Sequence, residues 1–518
     1  GAAKALCEAG CRVTLLDGLP DPTGAEPYLT PTGKPFEAGT RGFWKDYPNV
    51  EDLVRELGLP EDEIFTEFTP SSFYSPDGLE AVAPVFSSSA FPELPSPLGQ
   101  VFATFDNFKR LPVQDRVTMA GLLYAMIDFT RDKSTFEAYD RMTAHELFIR
   151  MGLSKRLVDD FVRPTLLVGL FKPPEELSAA VVMELLYYYA LAHQTSFDVR
   201  WIKNKSIAEM IINPLANKLT EEYDITVKGG ALVQELFLED GKVTGLRFKD
   251  FKSGGNEVLV QDLDAAVLAL GAKGMKAVVG NSPALAASAP ELSKAAALGG
   301  IDVVATRIWL DKYIPTDTPA NVFSRFEALR GAGGTFFMLD QLQPDHDALW
   351  GGSTPQGSVL ACDFYNGGAI ATLSDEDIIK VLMEDLLPEA VPAFRDANVV
   401  DSYVQRYYGA VSWFSPGSFP SRPPLETSVP NLVCAGDWVR MGDREHGAKG
   451  LCQERAYVCG LQAANALAAK GALGSGSLSE HPVIPIREDE PQVELGRQVN
   501  KGVMDLLGSV GLASPWVR

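Results

Sequence analysis

A chain of 518 residues, 46% of them hydrophobic and with a formal net charge of −22, holds enough apolar material for two or more domains and has the balance of a globular protein. The negative balance excludes nucleic acid as a partner, because phosphate backbones would be repelled, and it opposes docking on anionic lipid by bulk charge. No stretch approaches the ~20 apolar residues that cross a bilayer, and the six cysteines (Cys7, Cys11, Cys362, Cys434, Cys452, Cys459) form no CxxC pair and no zinc-like spacing with histidine, so reduced thiols and no metal site are expected.

The chain opens without Met on GAAKALCEAG, a small-residue helix, and continues as CRVTLLD, an apolar strand closing on an acid. That order is the helix and second strand of a dinucleotide-binding unit, with Asp17 placed to accept hydrogen bonds from an adenosine ribose. The first strand and its Gly-rich turn are expected ahead of Gly1, together with any targeting peptide.

Val50 to Leu57, with Asn49 as the candidate cap, has the spacing of an amphipathic helix. Ile64 to Phe91 alternates aromatics with Ser, Pro and Gly, which predicts strands and turns able to roof a cavity. Leu98, Val101, Phe102, Phe105 and Phe108, followed after Pro112 by Val117, Met119, Leu122, Leu123, Met126 and Ile127, set apolar faces at helical spacing. Such faces either pack on a neighbouring helix or enter one lipid leaflet. Thr143-Ala144-His145-Glu146 predicts a capping box with His145 on the surface. Val158 to Leu170 and Ser178 to His193 predict two helices joined by Pro173-Pro174, the second apolar almost all round and therefore central enough to line a tunnel.

From Asn213 an α/β alternation returns, with a helix over 214–223, a strand over 224–228, a strand pair (Ala231 to Leu238, Lys242 to Phe248) turning at Asp240-Gly241, and a strand Ala265 to Leu270 closing on Gly271. Val303 to Tyr313 and Phe336 to Leu339 predict strands of an insert, and Ser374 to Leu387 a helix whose positive end carries Asp375, Glu376 and Asp377. Tyr407, Tyr408, Trp413 and Phe414 then offer rings to a flat ligand or to the core. Asn431 to Ala435 is a short buried strand broken by Gly436-Asp437, and Gly447 and Gly450 precede a helix carrying Leu451, Tyr457, Val458, Leu461, Ala464 and Leu467. Small residues at such a turn let backbone approach a flat ligand, while first-turn amides favour oxygen acceptors. Asp437 does not suit phosphate, since two anions repel, and suits sugar or ribityl hydroxyls; an ordinary connection with a locally capping Asp is the competing reading. There is no GxSxG elbow, HExxH or intact phosphate loop.

Five ordered stretches carry a resemblance: Thr23-Gly24 with Pro35 to Trp44 and Tyr47-Pro48-Asn49; Ser96-Pro97-Leu98-Gly99; Lys172 to Ser178; Arg307 to Asp311; and Ala435-Gly436-Asp437. Through most of its length the chain resembles the flavin-dependent amine oxidase and carotenoid desaturase superfamily, and within it the plant-type phytoene and zeta-carotene desaturases. It departs from them at Leu19 and Thr23-Gly24, where the family usually has an Arg and a Gly-Gly pair. The segment after Ala448 is closer to carotenoid desaturase and methyltransferase-like relatives.

The resemblance implies an α/β fold: a Rossmann-like FAD-binding domain of GR2 type (1–60, 206–285, 416–470), an interleaved α+β substrate domain (286–415), a helical, membrane-facing region (61–205) and a C-terminal extension (471–518). It implies FAD bound by Asp17, Gly24, Gly39, Thr40, Arg41, Gly42, Val233 (through its backbone, beside adenine), Gly271, Gly436, Asp437, Gly447 and Ala448. Arg41, Trp201 and His446 are its flavin-near candidates, positioning more than reacting. The implied chemistry takes hydride and a proton from an apolar, carotenoid-like polyene to form a C=C bond, with a quinone as electron acceptor, peripheral membrane contact and a plastid or photosynthetic-membrane location. The alternatives are an amine oxidase, a redox-neutral carotenoid isomerase, and a flavin-binding subunit without turnover.

Overall fold

Two parallel strand pairs carry the nucleotide-binding half. Val13–Asp17 runs beside Ile225–Gly229, and Ala266–Leu268 beside Leu432–Cys434, whose three residues are fully buried as a strand covered on both faces must be. The computed structural model describes residues 1–22, 28–88, 92–130, 132–473 and 479–512, without the side chains of 104–106; Thr23-Gly24 and the Phe105 side chain therefore lie outside the described residues. Beside the first pair, Ala231–Glu239, Lys242–Asp250 and Asn256–Gln261 form an antiparallel meander. Asp240 and Gly241 make its first turn with φ of 48° and 73°, the left-handed pair that a two-residue hairpin requires. Its third strand, the exposed edge of the meander, was not expected: Val258-Leu259-Val260 is a short apolar run between polar residues.

The two extremities of the chain meet. Helix Ala2–Glu8 lies against helix Gln453–Ala469 with glycine at the contact: a Cβ on Gly460 would come within 2.7 Å of the Ala2 amide nitrogen. Helix Pro48–Glu56 is locked to the same final helix. Asn49 is not its cap; it sits buried in the first turn, where Glu454 Oε1 accepts from its amide nitrogen (3.1 Å) and from Nδ2 (2.6 Å) and Glu454 Oε2 accepts from Val50 N (3.0 Å). The cap thus comes from 405 residues away, a role that local spacing cannot reveal.

The second half is a seven-stranded sheet in the order Val399–Ser412, Gly300–Leu310, Val359–Tyr365, Gly333–Met338, Ala320–Phe323, Ser71–Ser75, Gly78–Ala83. The hairpin predicted within 64–91 is its far edge, parallel to Ala320–Phe323, and Gly42–Trp44 pairs with Val199–Trp201. Sheets therefore run across the sequence boundaries at 60 and 205. Strand alternation sorts the sheet's residues: Val304, Ile308, Phe336, Leu360 and Phe364 face a core with Leu382 and Phe394, while Ala305, Thr335, Phe337, Asp363 and Tyr365 face the opposite way into a cavity. Helices between 119 and 191 close that side. Thr143 accepts from Glu146 N (3.0 Å) as predicted, but the Glu146 carboxylate turns to Arg150, so only half of the capping box forms.

Residues 479–490 run extended along the final helix and its approach. Asn465 and His481 bond reciprocally, the Ile484 carbonyl accepts from Asn49 Nδ2 (2.8 Å), and Arg487 pairs with Asp46 (2.8 Å). Helix Pro491–Ser509 follows and packs on Met119–Asp128.

Glu454 is fully buried, and burial pushes its carboxyl up to about 7. Glu454→Ala is expected to cost about 3 kcal/mol, since it strands several buried donors, and thermal unfolding by circular dichroism measures it. The folded carboxyl binds its proton more tightly than the unfolded one (4.5), so its contribution declines as pH rises from about 4.5 to 7. Glu454→Gln should flatten that slope in the difference between the two proteins.

Candidate active site

A cavity of about 460 Å³ separates the sheet from the helical layer. Its sheet wall is Ala305, Thr335, Phe337, Asp363 and Tyr365, and its helical wall is Leu185, Leu186, Tyr189 and Ala190, from the helix predicted to be apolar all round. Phe73 and Ala83 of the hairpin cover it, and Trp44 and Trp201 stand at the end where the loop Ala38–Gly42 enters. Trp44 meets Tyr189 at a 4.6 Å ring separation and Trp201 meets Phe337 at 4.9 Å. Such walls exclude water and select an apolar ligand by shape.

Polar groups gather at one end. Gly39 has φ of 64°, and a Cβ there would sit 2.9 Å from Asp363 Oδ2, so both the backbone angle and the close approach demand glycine. Asp363 is only 4% exposed; burial pushes its carboxyl up to about 7 although Arg41 and Arg307 pull it down. Arg307 is buried as well, donates from Nη2 to the Glu37 carbonyl (2.8 Å), and leaves Nε without a partner. Behind Gly39-Thr40 a second cavity of about 250 Å³ is lined by Glu37, Ser206, Glu209 and Arg307.

Gly39, Thr40, Arg41, Gly42 and Trp201 thus share the wall of the large cavity. The remaining candidates divide. Asp17 ends its strand and spends Oδ1 on Leu19 N (2.8 Å), leaving Oδ2 for a sugar. Val233 pairs with Phe248 and Glu235 with Arg247, so Gln234 is the extra residue of a bulge that re-aims the backbone there. Gly271 caps helix Ala272–Gly280, and Trp438 Nε1 donates to the Leu270 carbonyl (2.9 Å), which draws Gly271 and Gly436-Asp437 together. Gly436 has φ of 139° with the Trp438 ring against it. Asp437 is recessed, and burial pushes its carboxyl up to about 6 against the pull of Arg455.

His446 is buried outside the cavity wall. Its Nε2 lies 3.1 Å from the Ile484 carbonyl, its Nδ1 accepts from Ala448 N (3.2 Å), and burial lowers it to about 4, so it is neutral and structurally engaged. A Cβ on Gly447 would meet Ile486 at 2.7 Å, and Ala448 is sealed beside Tyr47 and Cys452. Gly24 lies outside the described residues.

Spacing alone missed Asp363, Arg422 and Glu454. A lone acid in the apolar run Val359–Tyr365 was the available signal for the first. Arg422, within electrostatic reach of Asp437, is buried with Nε and Nη2 lacking partners, an arrangement that calls for an oxygen-rich or anionic group. With the glycine turns and the recessed carboxylate, these residues fit the FAD that the resemblance implies, Asp17 and Asp437 on hydroxyls and Arg422 on oxygen acceptors.

The family of flavin containing amine oxidoreductases matches residues 2–468 of the chain. The 15-cis-phytoene desaturase, chloroplastic/chromoplastic, of Solanum lycopersicum is 23% identical over 448 residues, 85% of this chain and 71% of that protein. A carotenoid phi-ring synthase of Chlorobaculum tepidum is 31% identical over 193 residues, 37% of this chain and 27% of that one. Among solved structures, cyclohexylamine oxidase from Brevibacterium oxydans covers 90% of this chain and 95% of its own length at a TM-score of 0.60 and 14% identity, a likeness of fold.

If Asp437 accepts hydroxyls as a carboxylate, the affinity of the apoprotein for FAD should fall as pH drops through about 6. Asp437→Asn should weaken binding roughly tenfold at neutral pH and abolish that dependence. Quenching of flavin fluorescence during titration reads both.

Proposed function

Because the chain belongs to the flavin containing amine oxidoreductase family and is a flavin-dependent oxidoreductase with FAD as its cofactor, we propose that it dehydrogenates an apolar polyene of the carotenoid class, forming a carbon–carbon double bond. The observation that carries this reading is the large cavity: its wall is mainly aromatic and aliphatic, with uncharged polar groups such as Thr69, Asn321 and Thr335 interspersed and, among the described residues, Arg41 and Asp363 as its charged side chains. Bound FAD supplies the two-electron oxidation. The walls hold the chain of the substrate by shape, and the indoles of Trp44 and Trp201 offer flat surfaces for a conjugated system. Likeness to phytoene desaturases supports the same substrate class, and their chloroplastic or chromoplastic naming supports a plastid location. An amine substrate is disfavoured because Arg41 and Arg307 would oppose an ammonium group beside Asp363.

A polyene dissolved in lipid has to reach this cavity without crossing water, and the reading therefore includes a peripheral membrane contact. Leu98 (51% exposed) and Phe102 (57%) lie on helix Leu98–Asn107, which packs against the strand Gly78–Ala83 that covers the cavity. Val113 and Val117 are exposed on the next helix, and Leu495, Val499, Val503 and Leu506 form an uncovered stripe on helix Pro491–Ser509. Among the described residues no helix is long and apolar enough to cross a membrane, so the contact involves one leaflet. A net charge of −22 favours zwitterionic over anionic lipid. Within that leaflet a quinone is the electron acceptor of suitable solubility.

Anaerobic mixing of the FAD-loaded protein with a panel of carotenes should bleach the flavin, a quinone should restore it, and chromatography should show products shifted to longer wavelength. Bleaching by amines, with peroxide formed in air, overturns the assignment. In co-sedimentation with phosphatidylcholine vesicles, the double variant Leu98→Ser, Phe102→Ser should bind roughly tenfold more weakly, since each side chain forfeits its transfer into hydrocarbon.

A further inference from the structure

We propose that Asp363 is the proton acceptor of this dehydrogenation and that the polar cavity behind Gly39-Thr40 returns the proton to solvent. The inference rests on the polyene reading above. Among the described residues, Asp363 contributes the one carboxylate in the wall of the large cavity. In the ladder between Gly300–Leu310 and Val359–Tyr365, Ala305 faces Asp363 and Arg307 faces Ala361, so Asp363 and Arg307 are diagonal neighbours on the cavity side. Alanines flank them, and Gly39 brings bare backbone to the carboxyl, which leaves Oδ1 buried without a hydrogen-bond partner. Asp363 keeps 4% of its surface exposed, in the wall of a mainly apolar chamber, and with Oδ1 sealed and unpartnered its carboxyl meets a C–H bond where bulk water is excluded.

Charged and titratable neighbours set its basicity. Arg41 approaches from the loop, Arg307 from the adjacent strand, Tyr365 and Cys362 from its own strand, and Tyr407 from Val399–Ser412, with Glu37 beyond Arg307. Burial outweighs the two guanidiniums and pushes the carboxyl up to about 7, where a general base is effective near neutral pH. On its far side Arg307 borders the second cavity, where Ser206, Glu209 and Glu37 offer polar groups to water. One C–H bond would break with loss of hydride, the two-electron oxidation that bound FAD would supply; the neighbouring C–H bond breaks, its electron pair becomes the new π bond, and its proton goes to the Asp363 carboxylate. Proton loss through the polar cavity resets Asp363, and the two electrons would leave bound FAD for a quinone.

Asp363→Asn keeps the shape and removes the base. The variant should retain FAD and bind carotene with unchanged affinity, while flavin bleaching by carotene slows by about 10²–10⁴-fold. Infrared difference spectra of the apoprotein across neutral pH should show a carboxyl band that the variant lacks, a readout independent of turnover. In the wild type the bleaching rate should rise as pH passes about 7, and Arg307→Met, which removes a cation that lowers Asp363, should move that limb to higher pH. Bleaching by Asp363→Asn at the wild-type rate, an unchanged infrared band, or a limb indifferent to Arg307→Met overturns the proposal. A wild-type protein that no polyene bleaches overturns the substrate reading instead, and the infrared titration still reports whether Asp363 ionises as described.

Discussion

One sealed carboxylate ties the architecture together. Glu454, at the start of the final helix, takes hydrogen bonds from the first turn of helix Pro48–Glu56, and the next residue, Arg455, donates to the carbonyls of Asp437 (2.7 Å) and Val439 (2.9 Å). The same helix presses Gly460 against the amino-terminal helix. The first two turns of this helix therefore hold the amino-terminal helix, helix Pro48–Glu56 and the Gly436-Asp437 turn relative to one another. An ionisable group with so little access to water is tolerated because its oxygens are claimed by backbone donors that would otherwise be stranded themselves.

The large sheet does two jobs by alternation alone. Along Gly300–Leu310, Val304, Ile308 and Leu310 build a core with the helices that follow, while Val303 and Ala305 face the large cavity and Arg307 the smaller one. The arrangement makes Asp363 a neighbour of Arg307 without any contact between residues close in sequence. It also keeps aromatic bulk (Phe337, Tyr365) and polar function (Asp363) on one face, so that a rigid ladder positions both.

Much of the cofactor half was legible because its signals are local. Gly436-Asp437 after an apolar strand, Asp17 at the end of another, and Asp240-Gly241 between two alternating runs each follow from the geometry of a few residues. The substrate half resisted for the opposite reason. Val399–Ser412, the longest strand, mixes Asp, Ser, Gln and Arg with its Val and Tyr because it is a half-exposed edge, and no periodic face announces it. Pairing of Ser71–Ser75 with Ala320–Phe323 depends on tertiary packing that spacing does not encode. Helix Pro491–Ser509 carries Gly496, Gly502 and Gly508, which dilute helical propensity, and it forms against Met119–Asp128 all the same. Asn49 shows the residual ambiguity of single residues: a cap by type, it is taken up by Glu454 and by the extended segment around Ile484.

The threading of the chain has a consequence for how the molecule is made. The far edge of the seven-stranded sheet comes from residues 71–83, its opposite edge from 399–412, and the nucleotide half is closed only by a helix ending at 469. Each half is therefore assembled from segments far apart in sequence: the sheet is complete only after residue 412, and the nucleotide half only after residue 469. Closures between segments so far apart in sequence are slow, and they leave apolar surface bare until they form.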